Sequence, residues 1–408
     1  MTEQLILADD LSGASEAAAQ FLLRTTRIQV NCSPQPRPQP QPQPAADTRV
    51  LCIDLDTRHE PEPAVTGQVR TALASAGCPQ HVLVKVDSLL RGTPEHLVRA
   101  VREALTPPGS PAPAAVVCPA TPALGRTVVD GVVRVAGRPL HETDLWHAEH
   151  RTPPRSAAEA LPGLDVVDVP LDLVRGPRNR LVAVLHDAAR AGRTCFCDAE
   201  VDADLDALVA AAAELPGAVL VGAGGLAAAA ARALPPDAQE RSVCRDTAAS
   251  APRVLVVAGS AAPSLASEVA ELAAAGADLV EPTVADLLAG SARLPDLGAT
   301  APVTVVRPAA APVDPSVSTR LVAALAEAVA PAAPPTAALV LTGGETARAV
   351  LDRLGVRSLR PVHADAGAVT ALADDGRTVV TRPGSFGHGA ALADIVTTLT
   401  HRPHQEPS

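Results

Sequence analysis

The sequence predicts an α/β protein of two domains, each built on a mostly parallel sheet covered by helices. Short apolar runs typical of buried strands alternate with helix-length stretches along most of the 408 residues. A chain of this length is long enough for two domains of ordinary size. A polar, proline-bounded stretch at 235–252 interrupts the alternation, and we interpret it as the linker.

The first predicted domain covers residues 1–236 and opens on the strand LILA, which two carboxylates and a small-residue turn connect to a helix. The proline-alternating segment 33–46 lies between the strand-like runs RIQVNC and RVLCIDLDT, which predicts an extended surface insertion within this domain. Strands and helices then alternate, with predicted strands at 82–86, 114–118, 194–198 and 218–222 and predicted helices at 94–105, 181–191, 204–214 and 226–234.

The second predicted domain covers residues 252–402 and resumes the same alternation. Its predicted order of strand and helix again indicates a mostly parallel sheet. The predicted strands are 254–258, 303–307, 338–342 and 378–381, and the predicted helices are 265–275, 316–329 and 346–354.

Composition excludes several classes of function. The net charge of −11 leaves no basic stripe to neutralise phosphates, so nucleic acid is not expected as a partner. No run of 18 apolar residues is free of charge and proline, and the N-terminus lacks a signal pattern, so we expect a cytoplasmic protein with no membrane partner. The seven cysteines lack zinc-like spacing, and no metal site built from protein side chains is predicted.

Polar side chains follow four predicted strands of the first domain. In a parallel α/β sheet, ligands bind where the strands end. Acids, hydroxyls and arginines together suit a polyhydroxylated acid, because guanidinium groups bind its carboxylate and carboxylates bind its hydroxyls. The candidates are Asp9, Asp10 and Ser12; Asp56, Thr57 and Arg58; Lys85, Asp87, Ser88, Arg91 and Gly92; and Thr121, Gly125 and Arg126.

Each candidate also has a plain structural interpretation. Asp9 or Asp10 could only cap the following helix, and Arg58 could be a solvated surface side chain. Asp87 and Arg91, four residues apart, could form an ordinary ion pair at a helix start. Their joint occurrence at successive strand ends favours the binding site.

Glycine turns that lead into helices mark the second domain. Such turns leave backbone N–H groups available for phosphate oxygens, and three of them in one domain suggest a nucleotide site. No GxxxxGK[ST] motif is present, so this is not a Walker A loop. The turns are AGSAAPS with Gly259 and Ser260, LTGGETA with Gly343, Gly344, Glu345 and Thr346, and TRPGSFGHG with Gly384, Gly387 and Gly389.

The string VLVGAGGLAAAA has the strand–glycine–helix form of a dinucleotide-binding fingerprint. Its spacing is not GxGxxG, and no second strand ends in an acid about 20 residues further on. Close packing of helix on strand through Gly224 and Gly225 is therefore the preferred interpretation.

Four strings together resemble the four-carbon acid sugar kinase family. They are LILADDLSGASEAAAQF, KVDSLLRG, PATPALGRTVVDG and LTGGETARAVLDRLG, in the family's order and spacing, and the likeness runs from Leu5 to about Leu399. The resemblance implies an N-terminal domain that binds threonate, erythronate or 3-oxo-tetronate and a C-terminal domain that binds ATP. It further implies that phosphate passes, with Mg²⁺, to the terminal hydroxyl across a cleft between the domains.

By matching position, the resemblance also implies the site residues. Asp10 would accept the hydroxyl proton, and Asp9 would orient Asp10 or cap the helix. The acid sugar would be faced by Asp10, Arg58, Asp87, Ser88, Leu89 and Arg91, and ATP by Ser260, Gly343, Gly344, Glu345, Thr346, Gly384 and Gly387.

The chain departs from the family pattern at Leu89 and Thr93, where Thr and Asn are usual, and at Arg382 and Ser385, where Lys and Gly are usual. It also lacks the usual Glu and Pro-Gly pair before the last strand. Two functions therefore stay open: an ATP-dependent kinase of a four-carbon sugar acid, and a catalytically silent ligand-binding or partner protein that keeps the fold. The retained acids and glycine turns favour the kinase. Which acid is used, which hydroxyl is phosphorylated and whether the chain forms a homodimer stay open.

Overall fold

The computed structural model describes residues 2–32, 42–58, 60–146, 149, 151–237, 253–259, 263–297, 301–310, 317–382 and 391–400. The chain divides into two compact units. Unit 1 holds the described residues up to Asp237, and unit 2 holds those from Arg253 onward. Within the described residues, no helix is long and apolar enough to cross a membrane.

Unit 1 is built on a parallel sheet with helices between its strands. Its strands are β1 (Gln4–Ala8), β2 (Ile28–Cys32), β3 (Val50–Asp54), β4 (His81–Lys85), β5 (Ala115–Cys118), β6 (Arg126–Val129), β7 (Val132–Val135), β8 (Arg138–Pro139), β9 (Val166–Val169), β10 (Thr194–Cys197) and β11 (Val219–Gly222). Its helices are α1 (Leu11–Ala19), α2 (Glu62–Ala76), α3 (Pro94–Leu105), α4 (Ala157–Ala160), α5 (Leu171–Val174), α6 (Arg178–Arg190), α7 (Asp202–Ala212) and α8 (Gly224–Ala233).

The strands of the parallel sheet lie in the order β2, β3, β1, β4, β11, β5, β10, β9. Every residue of β1 and of β3 is buried, as expected for near-continuous apolar strands covered on both faces. The chain passes from β1 to β2 and β3 on one side and then to β4 on the other, so the connections reverse direction between β1 and β4. Ligand sites of open α/β sheets lie at this kind of switch point.

Unit 2 repeats this arrangement. Its strands are β12 (Val254–Ala258), β13 (Asp278–Val280), β14 (Val303–Val306), β15 (Ala338–Thr342), β16 (Ser358–Asp365), β17 (Ala368–Ala373) and β18 (Thr378–Arg382), and its helices are α9 (Pro263–Ala274), α10 (Val284–Leu288), α11 (Ser318–Val329), α12 (Gly344–Leu354) and α13 (Leu392–Thr400). They lie in the order β13, β14, β12, β15, β18, β17, β16. The reversal falls between β12 and β15, and β16–β17 and β17–β18 are the antiparallel pairs.

The predicted fold class, α/β with mostly parallel sheets, is confirmed. The prediction missed the antiparallel β6–β7–β8 sheet and the β16–β17 hairpin, whose strands are partly exposed and lack a long apolar run. Helices α8 and α12 begin two residues earlier than predicted, because their glycines belong to the first turn. The domain limits 1–236 and 252–402 stay predictions, and most of the insertion at 33–46 lies outside the described residues.

Candidate active site

Two carboxylates stand at the carboxyl end of β1, beside the switch point of unit 1. Asp10 caps α1: its Oδ1 accepts the N–H of Gly13 at 2.7 Å, and its Oδ2 accepts the Ser12 hydroxyl at 3.1 Å. Asp9 is bound by Arg58, with Nε 2.9 Å from Oδ2 and Nη2 3.1 Å from Oδ1. The third guanidinium nitrogen, Nη1, lies 2.9 Å from Asp10 Oδ2. One arginine therefore joins both carboxylates.

Burial and charge shift the pKa values of these two carboxyls in opposite directions. Burial raises the pKa of Asp9, and the charge of Asp10 adds to the rise against the attraction of Arg58. Burial is outweighed at Asp10 by the attraction of Arg58 and Lys85, which holds the pKa of Asp10 below its usual range. Asp10 is therefore ionised at neutral pH and can accept a hydrogen bond or a proton from a hydroxyl.

The segment after β4 folds around the carboxylate of Asp87. Arg91 binds it through Nε to Oδ2 and Nη2 to Oδ1, each at 2.8 Å. The backbone N–H groups of Leu89 and Arg91 add bonds of 3.1 and 3.2 Å. Burial is outweighed by these bonds and charges, so the pKa of Asp87 lies well below its ordinary value. The Leu89 side chain is buried in the core, and its backbone contributes to the turn.

Gly92 brings the segments after β3 and β4 together. Its φ of +76° suits glycine, and a Cβ at this position would collide with the carbonyl oxygen and the side chain of Arg58. The N–H of Thr93 donates to the same Arg58 carbonyl at 3.1 Å. Arg58 is thus held by its main chain as well as by its guanidinium, and the predicted residues Asp10, Arg58, Asp87 and Arg91 share one edge of the sheet.

Arg126, which follows β5, lies close to the residues that follow β4. Its Nη1 donates to the hydroxyl oxygen of Ser88, and the side chain is buried. Burial lowers the pKa of Arg126, with the attraction of Asp87 acting against it. Arg126 was among the candidates at the fourth strand end, and the structure brings it to Ser88.

Three residues around this edge were missed from the sequence. Glu16 on α1 lies with its Oε2 3.0 Å from the Nζ of Lys85. Glu149 accepts the N–H of Gly92 at 3.2 Å, and Arg151 donates to the carbonyl of Leu90 at 3.3 Å. No spacing in the sequence indicates these contacts, since their partners are far apart along the chain or lie in a region without a motif.

The string VLVGAGGLAAAA packs closely, as predicted. A Cβ on Gly222 would collide with the carbonyl oxygen of Cys118, and one on Gly225 would collide with that of Ala120. A Cβ on Gly224 would meet the carboxylate of Glu16. Protein atoms already occupy the space beside these glycines, so the string does not form a dinucleotide cradle.

Two of the predicted glycine turns of unit 2, at Gly259 and at Gly343, meet at its own switch point. Gly343, with φ of +89°, leads from β15 into α12, and its N–H donates to the carbonyl of Arg382 at 2.8 Å. The buried Thr346 lies so close to Gly259, after β12, that a Cβ on Gly259 would overlap its hydroxyl. Glu345 is exposed on the first turn of α12. Ser260, Gly384 and Gly387 lie outside the described residues.

Arg382, one of the departures from the family pattern, has a structural partner. Its Nη2 lies 2.8 Å from Glu268 Oε1, and its Nη1 also binds this carboxylate. The N–H of Leu392 donates to Glu268 Oε2 at 2.9 Å, which ties α13 to the same pair. The bonds from Arg382 lower the pKa of Glu268 against the effect of its burial.

Comparisons with known proteins define the class. A family model described as a sugar-binding N-terminal domain matches residues 4–230, and one described as a nucleotide-binding C-terminal domain matches residues 255–392. The chain belongs to the four-carbon acid sugar kinase family.

Two curated relatives of similar length are kinases. A D-threonate kinase of Cupriavidus necator is 34% identical, over 95% of this chain and 96% of that protein. A D-threonate kinase of Bordetella bronchiseptica is 31% identical, over 97% of both chains. The chain is a kinase, a phosphotransferase.

Solved structures share the fold. A Haemophilus influenzae protein superposes with a TM-score of 0.69 at 18% identity, over 97% of this chain and 100% of its own. A Salmonella typhimurium protein gives 0.71 at 21% identity, over 97% and 99%. At these identities, the likeness shows the fold alone.

Proposed function

We propose that the chain transfers the γ-phosphate of ATP to the terminal hydroxyl of a four-carbon sugar acid, with D-threonate as the first candidate. The observation that carries this proposal is the ionised Asp10 carboxylate, bound by Arg58 at 2.9 Å at the switch point of unit 1. Relatives of matching length that are named D-threonate kinases support the choice of substrate.

In the proposed reaction, Asp10 accepts the proton of the terminal hydroxyl as the hydroxyl oxygen bonds to the γ-phosphorus. The bond from that phosphorus to the β–γ bridging oxygen breaks, and ADP leaves with its electron pair. The guanidinium groups of Arg58, Arg91 and Arg126 supply positive charge for the carboxylate of the acid. The carboxylates of Asp10 and Asp87 suit its hydroxyls, with Ser88 and the Leu89 backbone beside them.

For the nucleotide, we propose the turn at Gly343, Gly344, Glu345 and Thr346, together with Ser260, Gly384 and Gly387. The first N–H groups of α12 have no partner within the helix and suit phosphate oxygens. The turn fits a phosphate because Gly343 takes a φ of +89° and Gly259 leaves no side chain above Thr346.

Mg²⁺ would enter as the complex with ATP. No group of three or more His, Cys, Asp or Glu side chains in the described part of the chain is placed to hold a metal ion. Magnesium in phosphoryl transfer keeps several waters and binds mainly through substrate phosphates, so such a group is not required.

The test is ADP release from Mg·ATP with D-threonate, L-threonate, D-erythronate, L-erythronate and 3-oxo-tetronate, followed by ³¹P NMR of the product. We expect turnover of D-threonate and a phosphomonoester on its terminal oxygen. Turnover of none of the five acids by protein that binds ATP in calorimetry would overturn the proposed substrate class.

A further inference from the structure

Lys85, the only lysine of the chain, is buried inside β4 at the switch point of unit 1. Its side chain is 4% exposed, and its Nζ lies 3.0 Å from Glu16 Oε2. An ammonium group buried this deeply is unfavourable unless a carboxylate compensates it. Glu16, on the neighbouring helix α1, supplies that carboxylate.

Two glycines provide the space for this pair. A Cβ on Gly13 would lie 2.6 Å from Asp10 Oδ1 and 3.0 Å from Lys85 Nζ, so the ammonium and the Asp10 carboxylate approach the same point of α1. A Cβ on Gly224, at the start of α8, would collide with the Glu16 carboxylate. Elements β4, α1 and α8 therefore hold the Lys85–Glu16 pair on one side of Gly13 and the Asp10 carboxylate beside the same glycine.

The charges around Lys85 keep it protonated. Burial lowers its pKa, but the attraction of Glu16, Asp9 and Asp10 outweighs burial and raises the pKa above the ordinary value. Arg58 binds both Asp9 and Asp10, and Lys85 adds a second positive charge that favours the ionised form of Asp10. Several titratable groups surround Lys85 and its neighbouring carboxylates. Glu16 lies on α1, and Asp9 and Asp10 follow β1. Cys52 belongs to β3, Arg58 follows β3, Asp87 follows β4, and Arg126 follows β5.

We propose that Lys85 is a positioning residue for phosphoryl transfer: its ammonium, held by Glu16 beside Gly13, keeps the Asp10 carboxylate in the ionised form that accepts the proton of the substrate hydroxyl. This inference rests on the proposed role of Asp10. Glu16 belongs to the same device, because without it the ammonium loses the carboxylate that holds it beside Asp10.

The first test compares Lys85→Met and Lys85→Arg with Arg102→Met. Arg102 is another buried cation, bound to the Pro113 carbonyl at 3.2 Å and the Thr194 hydroxyl at 3.1 Å, at the opposite edge of the sheet. We expect Lys85→Met to lower kcat about 100-fold with little change in KM for ATP, and Lys85→Arg to recover most of kcat. Arg102→Met lowers the melting temperature and leaves kcat unchanged. Retention of kcat by Lys85→Met would overturn the inference.

The second test is the pH dependence of kcat/KM in Lys85→Met and Glu16→Gln. Loss of a neighbouring cation raises a carboxyl pKa, so the acidic limb of the Lys85→Met profile moves upward by about one pH unit. A purely structural role lowers the rate at every pH and leaves the limb in place. The matched control for Glu16→Gln is Glu62→Gln, because Glu62, on α2, also loses a carboxylate that binds a cation, Arg99, at 2.6 Å. We expect Glu62→Gln to keep the wild-type pH profile.

A third measurement is independent of turnover. Protein grown with [ε-¹³C]lysine gives one lysine signal, and we expect Asp10→Asn and Glu16→Gln each to shift that signal and its titration, whereas Glu62→Gln does not. A signal unmoved by Asp10→Asn overturns the role of Lys85 even in an active enzyme. A signal that moves in a protein that turns over no sugar acid supports the electrostatic coupling of Lys85 to Asp10, and it shows that the proposed function is what failed.

Discussion

Arg58 and Asp9 form a bidentate ion pair, with Nε of Arg58 2.9 Å from Oδ2 of Asp9 and Nη2 3.1 Å from Oδ1. This geometry leaves the third nitrogen, Nη1, directed at Asp10, 2.9 Å from its Oδ2. The planar fork of an arginine binds one carboxylate through two nitrogens and still directs a third nitrogen at the other carboxylate, a fixed geometry that the ammonium of a lysine does not reproduce. Asp9, the first residue after β1, therefore helps to position Asp10 through their shared partner Arg58.

Replacement of this arginine tests the arrangement. We expect Arg58→Lys to lower kcat/KM for the sugar acid about 100-fold, because Asp10 loses the bond from Nη1. Arg99→Lys is the control, since Arg99 binds Glu62 and the carbonyl of Gly163, which are not among the candidate site residues, and we expect its kcat/KM to stay at the wild-type value. Steady-state kinetics with melting curves checks both variants, and equal kinetics for the two would contradict the assignment.

Gly13 is predicted to be intolerant of any side chain. Gly13→Ala places a methyl group 2.6 Å from Asp10 Oδ1 and 3.0 Å from Lys85 Nζ, so we expect kcat to fall about 100-fold. Gly67, on the exposed side of α2, has nothing within 4 Å of its Cβ position. Gly67→Ala should keep full activity and gain about 0.5–1 kcal/mol of stability from helix propensity. Wild-type kcat in Gly13→Ala would refute the close approach of the two charges.

The glycine turn of unit 2 makes a separate prediction about the nucleotide. At φ +89° and ψ 135°, Gly343 occupies a conformation that alanine does not tolerate. Gly343→Ala should raise the Kd for ATP in calorimetry about tenfold or more, because the N–H groups at the start of α12 move. Gly355→Ala, at φ of +76° and ψ of 14° at the other end of α12, carries a milder left-handed backbone strain and should lower only the melting temperature. Equal Kd values for the two variants would count against this phosphate site.

A pH-dependent contribution to stability is expected from Asp237, the last described residue of unit 1. Its carboxylate binds Arg27 and Arg49 at 2.7 and 2.9 Å and the Thr25 hydroxyl at 2.6 Å, and these groups lower its pKa against the effect of burial. A carboxyl whose folded pKa is lowered stabilises the fold above its unfolded pKa of about 4, and this contribution is lost as the pH falls through the folded pKa.

Asp237→Asn should therefore cost about 1–3 kcal/mol at pH 7, with a smaller cost at pH 3. Melting temperatures measured from pH 7 to pH 3 check this expectation. Asp187→Asn, a change at an exposed side chain, is the control and should follow the wild-type curve. A difference between Asp237→Asn and wild type that grows towards acid pH would reverse the predicted sign.

Much of the fold and part of the candidate site follow from local patterns. Buried apolar runs separated by helix-length stretches identify the strands of a parallel sheet, and the residues after each run then share one edge. Asp10, Arg58 and Asp87 follow three such runs, and this position predicts that they lie together. The spacing of Gly224 and Gly225 likewise identifies them as packing residues.

The remaining contacts depend on tertiary structure. Glu16 reaches Lys85 only because α1 crosses β4, and Glu149 reaches Gly92 from a segment that carries no motif. Arg382 differs from the family pattern, and its partner Glu268 is more than a hundred residues away in sequence. The side chain of Leu89 proved to be buried, so any contact with substrate falls to its backbone. Periodicity places residues at the end of a strand, but it does not select their partners.

The role of Asp10 is best tested by ADP release from Mg·ATP and D-threonate by the wild type and by Asp10→Asn, with ATP binding followed by calorimetry in both. We expect turnover by the wild type, a loss of at least about 100-fold in Asp10→Asn, and an unchanged Kd for ATP. Turnover by Asp10→Asn at the wild-type rate would show that Asp10 has no part in accepting the proton.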